Sequence, residues 1–358
     1  MADENTIDQK SILQLVEETA AIETNVPAGY QRIVMSTMGK YGAPQVLHIR
    51  NFSVEEALEL GSIAQDEIPI KITSLLQRLI YEEDVDIRTF YEQEVSELCI
   101  HFYQAFYSHQ LKDIKYTPDE EDKKWVLENI YKNQNGADYQ NWLRGVENGQ
   151  IPLNYDIDLN RVRYFKIPDN PKKFIRYKRG NFECKFQYPR FGDTALLQKA
   201  IQEKFRTEDR QIGPLYDIFK KKRDAEQRRL RGENVAVENL PDLNPDDVQV
   251  VRKYELDKTS YTIQQMKGLY LVEFNGEDIS GRPLSERVEI AKDPRIDFSM
   301  YQTVQECFNK LEIGPYSKIT IANPINGLPK EIDHPFRSLE LLAAIKDYRP
   351  DDSVIEFE

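Results

Sequence analysis

Residues 45–111 read QVLHIRNFSVEEALELGSIAQDEIPIKITSLLQRLIYEEDVDIRTFYEQEVSELCIHFYQAFYSHQL. Two capping boxes stand in this stretch, Ser53-x-x-Glu56 and Thr89-x-x-Glu92. In each, the hydroxyl can accept from the third helical N–H while the Glu reaches back to the cap. Between them Ile68, Ile72, Leu75, Leu76, Leu79 and Ile80 recur at helical spacing. After Thr89 the apolar positions Phe90, Val95, Leu98, Cys99, Phe102, Ala105, Phe106 and Tyr107 keep the same period. The spacing predicts three consecutive helices with defined starts and a compact helical core, with no cluster suited to chemistry.

Outward from that core the pattern changes. Thr6–Ile22 reads as an amphipathic helix with Ile12, Leu15, Val16 and Thr19 on one face. Tyr30–Arg50 alternates around MGKYGAP, a hairpin signal. Thr117-Pro118-Asp119-Glu120 starts a further helix with Pro at the first helical position and Trp125, Leu127, Ile130 and Tyr131 inward. The Asn/Gln/Gly-rich run 133–150 closes the domain. Residues 154–190 alternate polar with apolar or aromatic side chains and predict an antiparallel meander. Helices follow over Asp193–Thr207 and Leu215–Arg231, and Gly232–Asp247 reads as an acidic linker. Beyond it come a short helix (IQQMKGLY) and a strand within Tyr261–Ile279, a helix over Asp297–Leu311, two strands around an Asn-Pro-Ile-Asn-Gly turn, a closing helix from Arg337 to Lys346, and an acidic tail.

The fold class expected is α+β: a helical N-terminal domain, an antiparallel strand-rich middle and a small α+β C-terminal domain. The expected boundaries are 1–44 (N-terminal helix and hairpin arm), 45–150 (helical domain), 151–215 (basic strand-rich domain), 216–247 (basic helix and acidic linker) and 248–358 (C-terminal α+β domain). Hydrophobic residues at 40% and charged residues at 30% suit a chain with a real core. No apolar run approaches the ~20 residues that would span a bilayer. MADENTIDQK lacks the basic and apolar regions of a signal peptide, so a cytosolic protein is expected. Cys99, Cys184 and Cys307 are odd in number and far apart, which predicts free thiols.

Chemistry-bearing motifs are missing. There is no GxxxxGK[ST], GxGxxG or GxSxG, and the four histidines form no metal-binding pair, so no cofactor and no enzymatic activity are expected. The carboxylate runs Glu82–Asp86, Asp119–Asp122 and Asp351–Asp352 are consecutive and read as solvated turns and helix starts. Charge, by contrast, is segregated. Arg161 to Arg231 holds 21 Lys and Arg against 9 Asp and Glu, a net +12, so the remainder carries −25 within a total of −13. Arg161, Arg163, Lys166, Lys172, Lys173, Arg176, Lys178 and Arg179 interleave with Tyr164, Phe165, Phe174 and Tyr177. Lys220, Lys221, Lys222, Arg223, Arg228, Arg229 and Arg231 form a second basic run on a helix. Such strands can hold phosphates and stack bases. Alternation alone also predicts aromatics facing the core and cations facing water. With the rest of the chain so acidic, docking on acidic protein surface is favoured over nucleic acid.

The elements Arg50-Asn51-Phe52-Ser53-Val54-Glu55-Glu56, Asp84-Val85-Asp86 and Glu94–Phe106 resemble the baseplate hub assembly proteins of T-even-type contractile-tailed bacteriophages. In that family a strand leads through R-x-hydrophobic-T/S-x-x-E into a helix, then a D-x-D loop, then a helix bearing Leu and aromatic residues. The run FNKLEIGPYSKITIANPINGLPKEIDHPFRSLELL is similar to the family's ending. This chain is longer than expected for the family, through the basic middle and the acidic linker. Some relatives carry cysteine pairs near the C-terminus; here Asn323 and Asn326 flank the turn, so no metal role is carried over. The resemblance implies a non-enzymatic role in building the tail hub or residing in the baseplate. Its partners would be other tail or baseplate proteins in a symmetric multimeric assembly, in the host cytoplasm during assembly and in the virion after it.

Overall fold

The computed structural model describes residues 6–19, 26–63, 68–131, 136–230 and 242–347. The class is α+β, as the sequence implies. The chain divides into two units, Met1–Pro171 with Glu312–Glu358, and Lys172–Leu311. The division cuts through two expected segments: residues 151–171 of the strand-rich middle and 312–358 of the C-terminal domain both belong to the first unit.

In the first unit, strand β1 (Thr6–Asp8) precedes helix α1 (Gln9–Thr19). The helix expected from Thr6 starts later because Thr6–Asp8 pairs antiparallel with residues 163–165, and the Asp8 carboxylate accepts from Ser11 N at the helix start. Ile22 lies outside the described residues. Strands β2 (Tyr30–Val34) and β3 (Val46–Arg50) form the expected hairpin. Its loop is no arm: Met35, Thr37 and Ala43 are buried.

Helix α2 (Val54–Ser62) carries the expected box, with Glu56 N donating to Ser53 Oγ and Ser53 N to Glu56. The same carboxylate takes both ends of the Arg50 guanidinium at 2.7 and 2.8 Å. Helix α3 (Ile68–Leu79) buries Ile72, Leu75, Leu76 and Leu79. The second box differs from expectation. Thr89 ends a 3-10 turn in which Gln77 accepts from the Ile87 amide and the Asp86 carboxylate from the Arg88 amide, and the Thr89 hydroxyl donates to Asp86 O. Helix α4 (Glu92–Phe106) therefore starts two residues later, with Glu94 reaching back to the Tyr91 amide at 2.9 Å.

Strand β4 (Gln110–Lys115) leads to helix α5 (Glu120–Asn129), capped by Asp119 rather than begun by Pro118. Its inner positions are Asp122 and Val126, one turn apart, while Leu127 and Ile130 are exposed. The Asn/Gln/Gly-rich run contains helix α6 (Gly136–Glu147). Strands β5 (Asn154–Asp158) and β6 (Arg163–Phe165) do not continue a meander: β5 pairs with β4, and β6 with β1.

The second unit opens with hairpin β7 (Phe174–Arg179) and β8 (Phe182–Gln187). Helix α7 (Phe191–Leu230) runs straight through the expected break at Gly213-Pro214. Its 40 residues give a length of about 60 Å. Helix α8 (Pro245–Tyr270) begins inside the expected linker, with Asn244 as cap and Pro245 in the first turn. It lies antiparallel on α7: Phe205 meets Tyr261, Tyr216 meets Tyr254, and Lys222 meets Asp242. Residues 231–241 of the expected linker lie outside the described residues. Strand β9 (Leu271–Phe274) joins β8, strand β10 (Glu277–Asp278) joins β9, and helices α9 (Leu284–Ile290) and α10 (Phe298–Phe308) cover the sheet. Phe182, Cys184, Phe186, Leu271, Ile296, Met300 and Val304 form this core.

The chain returns to the first unit with hairpin β11 (Lys318–Ala322) and β12 (Pro329–Asp333) and helix α11 (Ser338–Asp347), as expected for this region. Ser338 Oγ donates to Glu92 on α4 at 2.6 Å. The acidic tail lies outside the described residues. Cys99, Cys184 and Cys307 are free thiols. Among the described residues no helix is long and apolar enough to cross a membrane.

Candidate interaction surface

The basic side chains singled out in the sequence fall on three separate elements. Arg161 and Arg163 belong to the first unit. Arg161 is exposed and pairs with Asp158 at 3.2 Å. Both line a groove of about 700 Å³ between β5 and β11, together with Asp156, Tyr316, Lys318 and Glu331. Beside the groove, Tyr316 N donates to Arg163 O and Phe165 N to Gly314 O. The groove's lining carries both cations and acids, and Lys318 faces Glu331 at 3.8 Å.

Lys172, Lys173, Arg176, Lys178 and Arg179 lie on or beside β7 in the second unit. The hairpin is closed by Gly180-Asn181, with Gly180 at φ 62, the left-handed first position that a type II′ turn requires. Arg179 and Phe182 face each other across that turn, which fixes the register. Ile175 and Tyr177 then face the core, while Arg176 and Lys178 face water with Phe174 beside them. Glu183 on β8 answers Arg176 at 2.9 Å and Lys178 at 3.9 Å. One strand further in, Lys185 is matched by Glu273 at 2.6 Å and lies over the Phe174 ring.

The third group is on α7. Lys222 pairs with Asp242, and Arg223 pairs with Glu255 while covering the Phe219 ring. Lys220, Lys221, Arg228 and Arg229 are exposed. Lys220 stands 29 residues beyond Phe191, or about 45 Å along the helix, so the β7 and α7 cations do not form one footprint. Arg231 lies outside the described residues. Of the four aromatics that interleave with the strand cations, Tyr164 is fully buried, Phe165 packs on Tyr316 and Tyr177 on Phe182. Phe174, at 49% exposure, is the one standing out on the surface.

Two buried polar clusters had no expected role. On α5, Asp122, expected from the sequence to be solvated with its neighbours, is buried. It accepts from Asn323 Nδ2 at 2.7 Å, Lys330 Nζ at 2.8 Å and the Tyr116 hydroxyl. Lys330 also reaches Asp119 at 2.6 Å. Burial works against the Lys330 charge, but the two carboxylates outweigh it and hold its pKa above that of a free lysine. Burial likewise opposes ionised Asp122, and Lys330, Tyr116 and Asn323 together pull its pKa down. Burial, then the neighbouring Asp122, pushes the Tyr116 hydroxyl up to about 12.

On α4, Glu94 accepts from the amides of Gly42, Ala43 and Tyr91, while Glu97 accepts from Ser36 N at 2.6 Å and Ser36 Oγ at 2.7 Å. Gly42 admits no side chain: a Cβ there would lie 2.3 Å from Thr89 O. Burial raises the Glu94 pKa against those amide bonds. In both clusters the carboxylate oxygens are taken up by donors from elsewhere in the fold, so they act as staples. Asp122 closes a local capping box by accepting from the Asp119 amide, and Tyr116 adds a nearby donor, but Asn323 and Lys330 are distant in the chain and no local signal reports them.

Among the described residues, no group of three or more His, Cys, Asp or Glu is placed to hold a metal ion. Comparison of the chain with protein-family models, curated proteins and solved structures finds no match.

Proposed function

We propose that this chain is a non-enzymatic tail baseplate protein of a contractile-tailed bacteriophage, a hub assembly factor or a resident structural subunit, working through protein–protein contacts. The reading rests on the resemblance carried by Arg50–Glu56, Asp84–Asp86 and Glu94–Phe106. The observation that carries it in the fold is the α7–α8 hairpin. This is an antiparallel pair of helices extending about 40 Å from its root, with charged side chains such as Lys220, Lys221 and Arg229 exposed toward its far end. A long two-helix projection buries little for its length and presents much surface, which suits contact with neighbouring subunits in a multimeric assembly.

Nucleic-acid binding through 161–231 is the weaker alternative. Base stacking on single strands needs exposed aromatic faces, and three of the four strand aromatics are packed inward. The test is genetic and biochemical. Deleting the gene should abolish complete tails, and the chain should co-purify with tail proteins from infected cells or be found by mass spectrometry in particles. Normal tails on deletion, with no tail protein co-purifying, would overturn the proposal.

A further inference from the structure

Strand β7 is the outer strand of the four-stranded sheet β10-β9-β8-β7. The two-residue turn makes Arg179 and Phe182 a hydrogen-bonded pair, so the main-chain groups of Ile175, Tyr177 and Arg179 face β8. The phase is corroborated from the other side of β8, where Glu183 O accepts from Asn275 N at 2.7 Å. The N–H and C=O groups of Phe174, Arg176 and Lys178 therefore point away from the sheet, and among the described residues no backbone group answers them.

Charge is uneven along the same edge. Five cations fall within Lys172–Arg179, and among the described residues the one acid reaching them is Glu183, shared by Arg176 and Lys178. Among the described residues no acidic partner is present for Lys172, Lys173 or Arg179, whereas the inner strands are balanced by Lys185–Glu273. A single lysine suffices to keep an edge strand from pairing with its own kind. Here the excess is larger, and Phe174 stands exposed among the cations as an apolar contact.

We propose that the β7 edge is a docking site for an acidic, extended peptide segment of a partner protein, which adds to the sheet as a fifth strand. Main-chain bonds to Phe174, Arg176 and Lys178 supply the alignment, and the surrounding cations select acidic side chains. The inference deepens the proposed contact function by assigning a surface and a partner chemistry.

The test uses the full-length protein and three probes at about 50 mM salt, where charge interactions are little screened. These are a synthetic peptide alternating glutamate and valine, the same peptide N-methylated at alternate amides, and polyuridylate. The parent peptide should bind and shift the backbone NMR signals of 174, 176 and 178. Methylation should weaken it by at least about tenfold, and so should Lys172→Glu with Lys173→Glu, which changes charge without touching the strand. Three outcomes overturn the proposal: no peptide binding, equal binding of the methylated peptide, or polyuridylate binding more tightly through the same residues. Each is independent of whether the chain is found in tails, so this inference and the functional reading can fail separately.

Discussion

Both units have apolar cores, and they differ in the polar groups buried alongside them. In the first, buried carboxylates tie segments far apart in the chain: Glu97 to Ser36, Glu94 to Gly42 and Ala43, and Asp122 to Asn323 and Lys330. In the second, an apolar cluster under one sheet carries the packing, and its ion pairs sit near the surface, as with Arg223–Glu255 and Lys258–Asp209. Arg287, buried like Asp193, grips the Gly268 and Leu269 carbonyls at the end of α8. A staple concentrates stability in a few atoms, while an apolar core spreads it over area. Single substitutions should therefore behave differently in the two regions.

Both tryptophans, Trp125 and Trp142, lie in the first unit, and buried Cys184 lies in the second. Fluorescence and thiol labelling thus report the units separately. The largest effect is expected for Glu94→Ala, which strands three amide donors; it should cost the first unit about 3–5 kcal/mol in denaturant titrations followed by fluorescence. Cys184 protection should stay unchanged, and a matching loss there would erase the contrast. Next comes Gly268→Ala in the second unit, where a new Cβ meets the Val288 backbone at 2.7 Å. Overpacking of that kind costs about 1–3 kcal/mol, and it should appear in Cys184 labelling with fluorescence unmoved.

Asp193 sharpens the contrast through pH. Burial raises its pKa to about 6, against ~4 in the unfolded chain. The folded state then holds a proton the unfolded state lacks between those values. Stability of the second unit should rise as pH falls from 7 to 4, by on the order of 2 kcal/mol. Asp193→Asn, which can still accept from Arg190 N, should flatten that rise in Cys184 protection. An unchanged slope would assign the dependence elsewhere. The smallest effect belongs to Arg223→Ala: losing the exposed pair with Glu255 should cost under about 1 kcal/mol by the same labelling assay.

The contrast also explains what the sequence makes readable. Elements set by neighbours in the chain are where periodicity and capping put them: the 30–50 hairpin, the Ser53 box, α3, α10, and the β11–β12 pair. The β7–β8 hairpin follows from Arg179-Gly180-Asn181 in the same way. Elements set by distant partners are not. Nothing near 154–165 says that β5 seeks β4 and β6 seeks β1, and nothing in Glu120-Glu121-Asp122 says which acid turns inward. Pro214 reads as a helix end, yet packing against α8 carries α7 through it, and α8 itself was hidden because its first turns, PDDVQVV, look like the end of an acidic linker. Of the candidate surface, alternation gave the correct facing of Ile175, Arg176, Tyr177 and Lys178. That β7 is an outer strand follows only from the pairing of β8 with β9, where Phe186 meets Leu271 across a separation filled by α7 and α8.

The pairing of Asp122 with Asn323 also sets an order of events on the ribosome. The two residues are 201 apart, and at roughly 5–20 residues per second the carboxylate waits about 10–40 s for its partner to be synthesised. Throughout that interval the nascent first unit lacks β11, β12 and α11, so α4 has no cover for Glu92 and α5 no counter-ion for Asp122. The second unit, whose residues are contiguous, is complete first. The earliest-made half of this protein is therefore its last-finished half.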